Sequence, residues 1–143
     1  MEDLWGFKDA RDLRKESADM PDSIIKEQMA LLSDKTEGVI YVKPTNYRVK
    51  GEEIDYKLAS VFEMVVPRLD NYATTLLILY SYPDNAYPVA ITVGSNYVDD
   101  QEDFNPRYEC RDSEEFLKAV KNILNSKEVI DKVKILFSKG TIY

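Results

Sequence analysis

Histidine is absent from the sequence, cysteine occurs once, and the five glycines are scattered, and each shortage excludes a kind of chemistry. A chain without histidine cannot form a Ser-His-Asp or Cys-His catalytic arrangement. The lack of histidine also excludes nearly all kinds of protein zinc site. The glycines stand at 6, 38, 51, 94 and 140, so none belongs to a phosphate-binding loop or a dinucleotide-binding fingerprint. We therefore expect neither an enzyme nor a bound cofactor.

Features that would take the chain out of the cytoplasm are also missing. Cys110 has no second cysteine to pair with, which is typical of proteins from a reducing compartment. The first residues, MEDLWGFKDARD, lack the basic stretch followed by an apolar stretch that marks a signal peptide. The longest apolar run, around residues 76–82, is far shorter than the ~18 residues of a membrane-spanning helix. These observations predict a cytoplasmic protein.

Basic residues are outnumbered by acidic ones, 19 to 26, and the resulting net charge of −7 is unevenly distributed. Residues 52–112 contain twelve acidic and four basic residues, a net charge of −8 that exceeds the excess of the whole chain. A surface of this sign repels nucleic acid and anionic lipid and attracts a basic protein. We expect a basic protein as partner, with no nucleic acid and no membrane. The alternative is that the charge only keeps the protein soluble.

The acids are densest in the stretch SNYVDDQEDF, residues 95–104, where four carboxylates lie between two aromatic residues. An EF-hand loop counted from Asp99 would need glycine at its sixth position and glutamate at its twelfth, but Phe104 and Cys110 stand there. The stretch is therefore a solvated loop, a partner-binding surface or a looser divalent-cation site. The candidate partner-binding residues are Tyr97, Asp99, Asp100, Glu102, Asp103 and Phe104.

Two further groups of residues could take part in catalysis or recognition. Glu63 lies within the apolar run VFEMVV, and burial of its strand face would raise its pKa and suit it to general acid catalysis. The favoured interpretation is that this face meets solvent or a basic partner residue. Tyr80, Tyr82 and Tyr87 gather at the end of a predicted hairpin, where tyrosines serve recognition or simply strand formation.

These observations favour a non-catalytic protein-binding module of inhibitor or immunity type. One alternative is a carboxylate-dependent or divalent-metal-dependent enzyme that uses Glu63 or the acids of residues 99–103. Another is a small-ligand-binding domain with an apolar pocket lined by tyrosines between sheet and helices.

The amino-terminal half predicts one helix and one strand before an ambiguous segment. The helix should begin with Asp19 as its cap, carry Pro21 in its first turn and end near Ser33. A strand over residues 39–43 should end at Pro44, and a loop should follow.

Residues 54–66, IDYKLASVFEMVV, fit either a helix with one apolar stripe or a strand with alternating faces. The later half is rich in β-branched and aromatic residues, which favours a strand over residues 58–66.

The clearest element is a β-hairpin with strands over residues 73–82 and 88–93 and a turn at PDNA. Its first strand is apolar on both faces, which predicts a central position in the sheet. A short strand is predicted over residues 107–110.

The carboxyl-terminal part predicts two amphipathic helices. The first is capped by Asp112 or Ser113, and the second begins at Asn125 or Ser126 and ends at Gly140. Their inward stripes are predicted to be Phe116, Leu117, Val120, Ile123 and Leu124, and then Val129, Ile130, Val133, Leu136 and Phe137.

The predicted fold class is α+β. It consists of an N-terminal helix, a three- to five-stranded mainly antiparallel sheet and two C-terminal helices packed on the sheet. No linker or internal repeat interrupts the chain, so we expect one domain over residues 1–143, with residues 1–18 as a loosely docked arm or short helix.

Overall fold

The computed structural model describes residues 1–97 and 104–143, and within them the chain has the predicted α+β architecture. The elements are α1 (Ala10–Glu16), α2 (Pro21–Lys35), β1 (Tyr41–Arg48), β2 (Leu58–Val66), β3 (Tyr72–Ser81), β4 (Val89–Val93), β5 (Tyr108–Cys110), α3 (Ser113–Leu124) and α4 (Lys127–Ile142). Helices thus precede and follow a run of five strands. Among the described residues no helix is long and apolar enough to cross a bilayer.

The sheet is an antiparallel meander in which every strand pairs with its neighbours in sequence, in the order β1-β2-β3-β4-β5. Within the ambiguous segment 54–66, the predicted strand over residues 58–66 is confirmed as β2, and residues 54–57 belong to the loop before it. The strand that is apolar on both faces, β3, is the middle strand, as predicted, because only a strand covered from both sides can bury two apolar faces.

The prediction that Pro44 ends the first strand is wrong. Strand β1 continues through Pro44 to Arg48, and Pro44 is in register with Phe62 of β2. Since β1 is an edge strand with a neighbour on one side only, a residue without an N–H group can be accommodated there.

The helix caps agree with the sequence pattern in two of three cases. Asp112 accepts a hydrogen bond of 2.9 Å from the Glu115 backbone N–H, and Ser126 accepts one of 3.3 Å from the Val129 N–H. The predicted cap Asp19 is wrong, because α2 begins at Pro21 after a 3-10 turn, with Met20 as its N-cap and no side-chain cap hydrogen bond. Helix α2 also runs two residues beyond Ser33, to Lys35.

The buried apolar side chains of the helices, apart from Pro21, pack on one face of the sheet, here called the helix face. Its core includes Ile25 and Met29 of α2, Phe116 of α3, and Val129 and Leu136 of α4.

The predicted inward stripes of α3 and α4 are partly wrong, because some residues that were predicted to face inward remain substantially exposed. These are Leu117, Ile130 and Phe137, which are 52%, 37% and 39% exposed.

A β-bulge in β3 adds a side chain to the helix face. Phe62 pairs with Leu77 and Glu63 pairs with Thr75, so Leu76 is an extra residue on β3. Leu76 and Leu77 consequently both belong to the core on the helix face, where strict alternation would have placed one of them on the opposite side.

The prediction that Gly140 ends the last helix is also wrong. Helix α4 continues to Ile142, and Gly140 is buried within it. A Cβ atom at this position would lie 2.8 Å from the Cγ1 atoms of both Val39 and Val66. The glycine therefore permits a close approach between the helix and the sheet, and it does not act as a helix stop.

Candidate partner-binding surface

The face of the sheet opposite the helices, here called the open face, carries the two aromatic ends of the predicted site. Tyr97 and Phe104 both pack against a second apolar cluster that includes Val61, Ile78 and Tyr80. The four predicted acids between them, Asp99, Asp100, Glu102 and Asp103, lie outside the described residues.

Tyr97 and Phe104 are held by the same buried side chain, Tyr80 of the central strand. The Tyr97 ring stacks on Tyr47 at a centroid distance of 4.8 Å and is nearly parallel to Tyr80 at 6.3 Å. The Phe104 ring meets Tyr80 edge to face at 4.8 Å and lies 6.0 Å from Tyr56. Aromatic pairs in these geometries attract beyond their buried area. Both residues that border the acidic stretch are therefore attached to the middle of the open face.

The loop before β2 covers the same face and alternates between inward apolar and outward acidic residues. Ile54 and Tyr56 are buried in the cluster, whereas Glu53 and Asp55 are exposed. The base of the loop is closed by a hydrogen bond of 2.8 Å from the backbone N–H of Val49 to the carbonyl of Lys57. This closure gives the loop a defined position, so its carboxylates lie at the edge of the aromatic cluster.

A second carboxylate reaches the cluster from the other edge of the sheet. The Tyr56 hydroxyl donates a hydrogen bond of 3.4 Å to Oε1 of Glu109 on β5. Burial, with Glu109 as a further cause, raises the pKa of Tyr56 above its ordinary value, and burial followed by Asp55 and Glu109 raises that of Tyr82. Both phenols therefore remain protonated and neutral beside negative charge throughout the physiological pH range.

The sequence did not single out Asp55 or Glu109 as site residues, although a signal was present. Glu109 faces Ala90 in the β4–β5 ladder and so shares the open face with it, as a period of two would have indicated. The position of Asp55 depends on the path of a loop, for which no comparable periodicity exists.

The four basic residues within residues 52–112, here called the acidic block, have partners in the helices or in the backbone. Arg107 forms two hydrogen bonds, of 3.1 and 3.3 Å, with Glu128 of α4, and Arg111 binds Glu115 of α3 at 3.0 Å. Lys57 and Arg68 donate to backbone carbonyls. Within the described part of the chain, the ion pairs of Arg107 and Arg111 are thus formed with helix residues outside the acidic block.

Glu63, the candidate general acid, and Cys110, the single cysteine, lie in different environments. Glu63 is half-buried on the open face, directly opposite Lys43 in the β1–β2 ladder, which is the kind of basic neighbour that the sequence interpretation favoured. Cys110 is only 2% exposed, and burial, followed by Glu115 and Asp112, raises its pKa to about 11. The thiol is therefore protonated at neutral pH and serves as a core side chain.

The three tyrosines predicted to gather at the hairpin are divided between the two faces of the sheet. Tyr80 and Tyr82 belong to the cluster on the open face. Tyr87 lies on the helix face, where its ring meets Phe116 edge to face at 6.2 Å. They do not line one common pocket.

No metal site is found in residues 1–97 and 104–143, where no three acidic, cysteine or histidine side chains converge. Comparison of the chain with protein-family models, with curated proteins and with solved structures finds no match.

Proposed function

We propose that this is a non-catalytic cytoplasmic protein that binds a basic protein partner through the open face, in the manner of inhibitor or immunity modules. The observation that supports this proposal most is that exposed acidic residues lie beside the same aromatic cluster to which the acidic stretch is attached. The exposed acids Glu52, Glu53 and Asp55 lie in the loop that covers the aromatic cluster, and Glu109 lies beside it on β5. This cluster holds both ends of the most acidic stretch in the chain.

The chemistry of this surface suits such a partner. Carboxylates steer a basic protein towards the surface and select it against acidic competitors. Tyr47, which is 43% exposed and stacked on Tyr97, offers an apolar ring with a polar tip beside them. Tyrosine is enriched at protein interfaces for this reason.

Affinity capture from a native lysate tests the proposal. The first bait carries Asp99→Asn, Asp100→Asn, Glu102→Gln and Asp103→Asn, and the second carries Asp55→Asn and Glu109→Gln. We expect both baits to capture less partner than the unchanged protein, and we expect that capture to depend less on salt concentration. Both effects should be larger for the first bait. Each surface change should alter the free energy of unfolding by no more than about 0.5 kcal/mol, so the melting curve should hardly move.

A matched control removes the same number of negative charges elsewhere. Glu2, Glu16, Glu27 and Asp34 are all exposed and lie outside the acidic block, and their change to Gln, Gln, Gln and Asn should leave capture intact. Equal capture by all baits would contradict the proposal. So would a rise in melting temperature with millimolar Ca²⁺, Mg²⁺ or Mn²⁺ that the first set of substitutions abolishes, since that result indicates a metal site.

A further inference from the structure

A cleft opens on the helix face between α2 and α4, on the side of the sheet opposite Asp55 and Glu109. Its volume is about 490 Å³, within the range of small-molecule sites. Its walls are largely apolar. Side chains of α2, α4, the end of α3 and the central strand contribute to them, including Met29, Leu32, Leu76, Leu124, Val129 and Val133.

The floor of the cleft is fixed by the fold. Leu76, the extra residue of the bulge in β3, points to it and is 2% exposed, and Met29 and Val129 beside it are each 5% exposed. Helix α3 packs against both α2 and α4, which holds the two walls in place. The cleft is thus a preformed depression, so a ligand would not have to open it.

One charged group stands at its rim. Lys35, in the last turn of α2, is the only charged residue among the described residues that line the cleft, where Gln28 and Asn125 supply amide groups. Lys35 is exposed and forms no ion pair with any described residue. A cation without a partner beside an apolar cavity is suited to an anionic head group attached to an apolar body.

We propose that this cleft binds a small amphiphilic carboxylate. The apolar tail lies against Met29, Leu76 and Val133, where it is removed from water, and the carboxylate accepts hydrogen bonds from the Lys35 ammonium. The site is independent of the open face, so it and the proposed partner binding can succeed or fail separately.

Titration calorimetry with linear carboxylates from hexanoate to dodecanoate, kept below their micelle concentrations, tests the apolar part. Affinity should rise roughly fourfold with each added methylene until the tail fills the cleft, and then level off. No measurable binding of any chain length at millimolar concentration would overturn the proposal. So would an affinity that rises without a limit, since that is unspecific adsorption.

The cation is tested with decanoate and decanol as paired probes. Lys35→Gln should weaken decanoate about tenfold or more and leave decanol unchanged, since only the carboxylate uses the charge. Lys26→Gln removes the same charge from α2 at a residue that does not line the cleft, and it should affect neither probe. Equal loss of both probes with Lys35→Gln would contradict the assigned role of the lysine.

The location is tested by filling the cleft. Val133→Phe places a ring in the cavity and should abolish decanoate binding. If its melting curve shows that it does not fold, Ile130→Phe serves instead, because Ile130 is 37% exposed at the cleft wall and tolerates a larger side chain. Undiminished binding by a folded filling variant would place the ligand elsewhere and overturn the proposal.

The amino-terminal arm of a second copy is the competing occupant. Trp5 is the only tryptophan and is 76% exposed, so its fluorescence reports insertion of the arm directly. A blue-shifted emission that accompanies dimerisation and is lost in Val133→Phe would show that the arm fills the cleft, and this would overturn the carboxylate proposal. We expect the emission of an exposed indole, unchanged by protein concentration.

Discussion

The structural role of Gly140 depends on its tertiary contacts and differs from the role that the sequence suggests. By sequence it resembles a helix C-terminal stop, but it lies inside α4 at a close contact with Val39 and Val66. Glycine within a helix ordinarily lowers stability by about 1 kcal/mol relative to alanine. Here the missing side chain allows the helix to approach the sheet, and that contact offsets the loss.

We expect Gly140→Ala to destabilise the protein, contrary to the usual gain in a helix interior. The new methyl would lie 2.8 Å from two valine methyl carbons, and one of these belongs to the fully buried Val66. Overpacking of this kind costs about 1–3 kcal/mol, to be measured by urea unfolding.

Two controls identify the cause of the effect. Ser138→Ala, at an exposed position of the same helix, should be neutral or slightly stabilising. Val39→Ala combined with Gly140→Ala should be more stable than the sum of the two single changes predicts, since it removes one of the two clashes. A stabilised Gly140→Ala variant would show that the helix can shift without cost.

At the level of elements, α3 and α4 derive their stability from the apolar stripes that they bury against the sheet. Val120 and Leu136 are 4% and 8% exposed, whereas Leu117 and Ile135 on the same helices are 52% and 57% exposed. An amphipathic helix of this length is marginal alone, so its packing determines whether it forms.

Val120→Asp and Leu136→Asp should each prevent folding or cost several kcal/mol, because they place an unpaired charge in the core. Leu117→Asp and Ile135→Asp introduce the same charge on exposed flanks of the same helices and should change stability by no more than about 1 kcal/mol. Circular dichroism and thermal melting of the four variants measure the difference. Normal melting of the first pair would mean that these stripes face something other than the sheet.

At the level of the whole molecule, the amino-terminal segment contributes little to the packed structure. Helix α1 has no buried residue, and Leu4 and Trp5 before it are 84% and 76% exposed. The first fully packed side chains in the chain are Pro21 and Ile25 of α2. The sheet and its helices should therefore not depend on residues 1–19.

A chain that starts at Met20 should fold with nearly unchanged stability. We expect a change of no more than about 1 kcal/mol, or roughly 2–4 °C in melting temperature for a protein of this size. Thermal melting and the near-ultraviolet spectrum of the tyrosines measure this, with the full chain as reference. A loss of several kcal/mol would show that the arm is docked.

The features that the sequence alone predicted are those that depend on near neighbours. Asp112 and Ser126 cap helices through backbone N–H groups three residues away, and the double-sided apolar pattern of β3 required a central strand. The uneven charge is likewise a property of the sequence. Local hydrogen bonds and side-chain periodicity are visible in the order of residues, because both act within one or two turns of chain.

Other features were decided by contacts between distant parts of the chain. Pro44 could remain in a strand because β1 occupies an edge of the sheet, and Gly140 became a packing residue because Val39 and Val66 lie against it. The attachment of Tyr97 to Tyr47 and Tyr80, and the cleft above the Leu76 bulge, also required the assembled fold. Such contacts depend on how elements pack in three dimensions, for which a single sequence contains no local pattern.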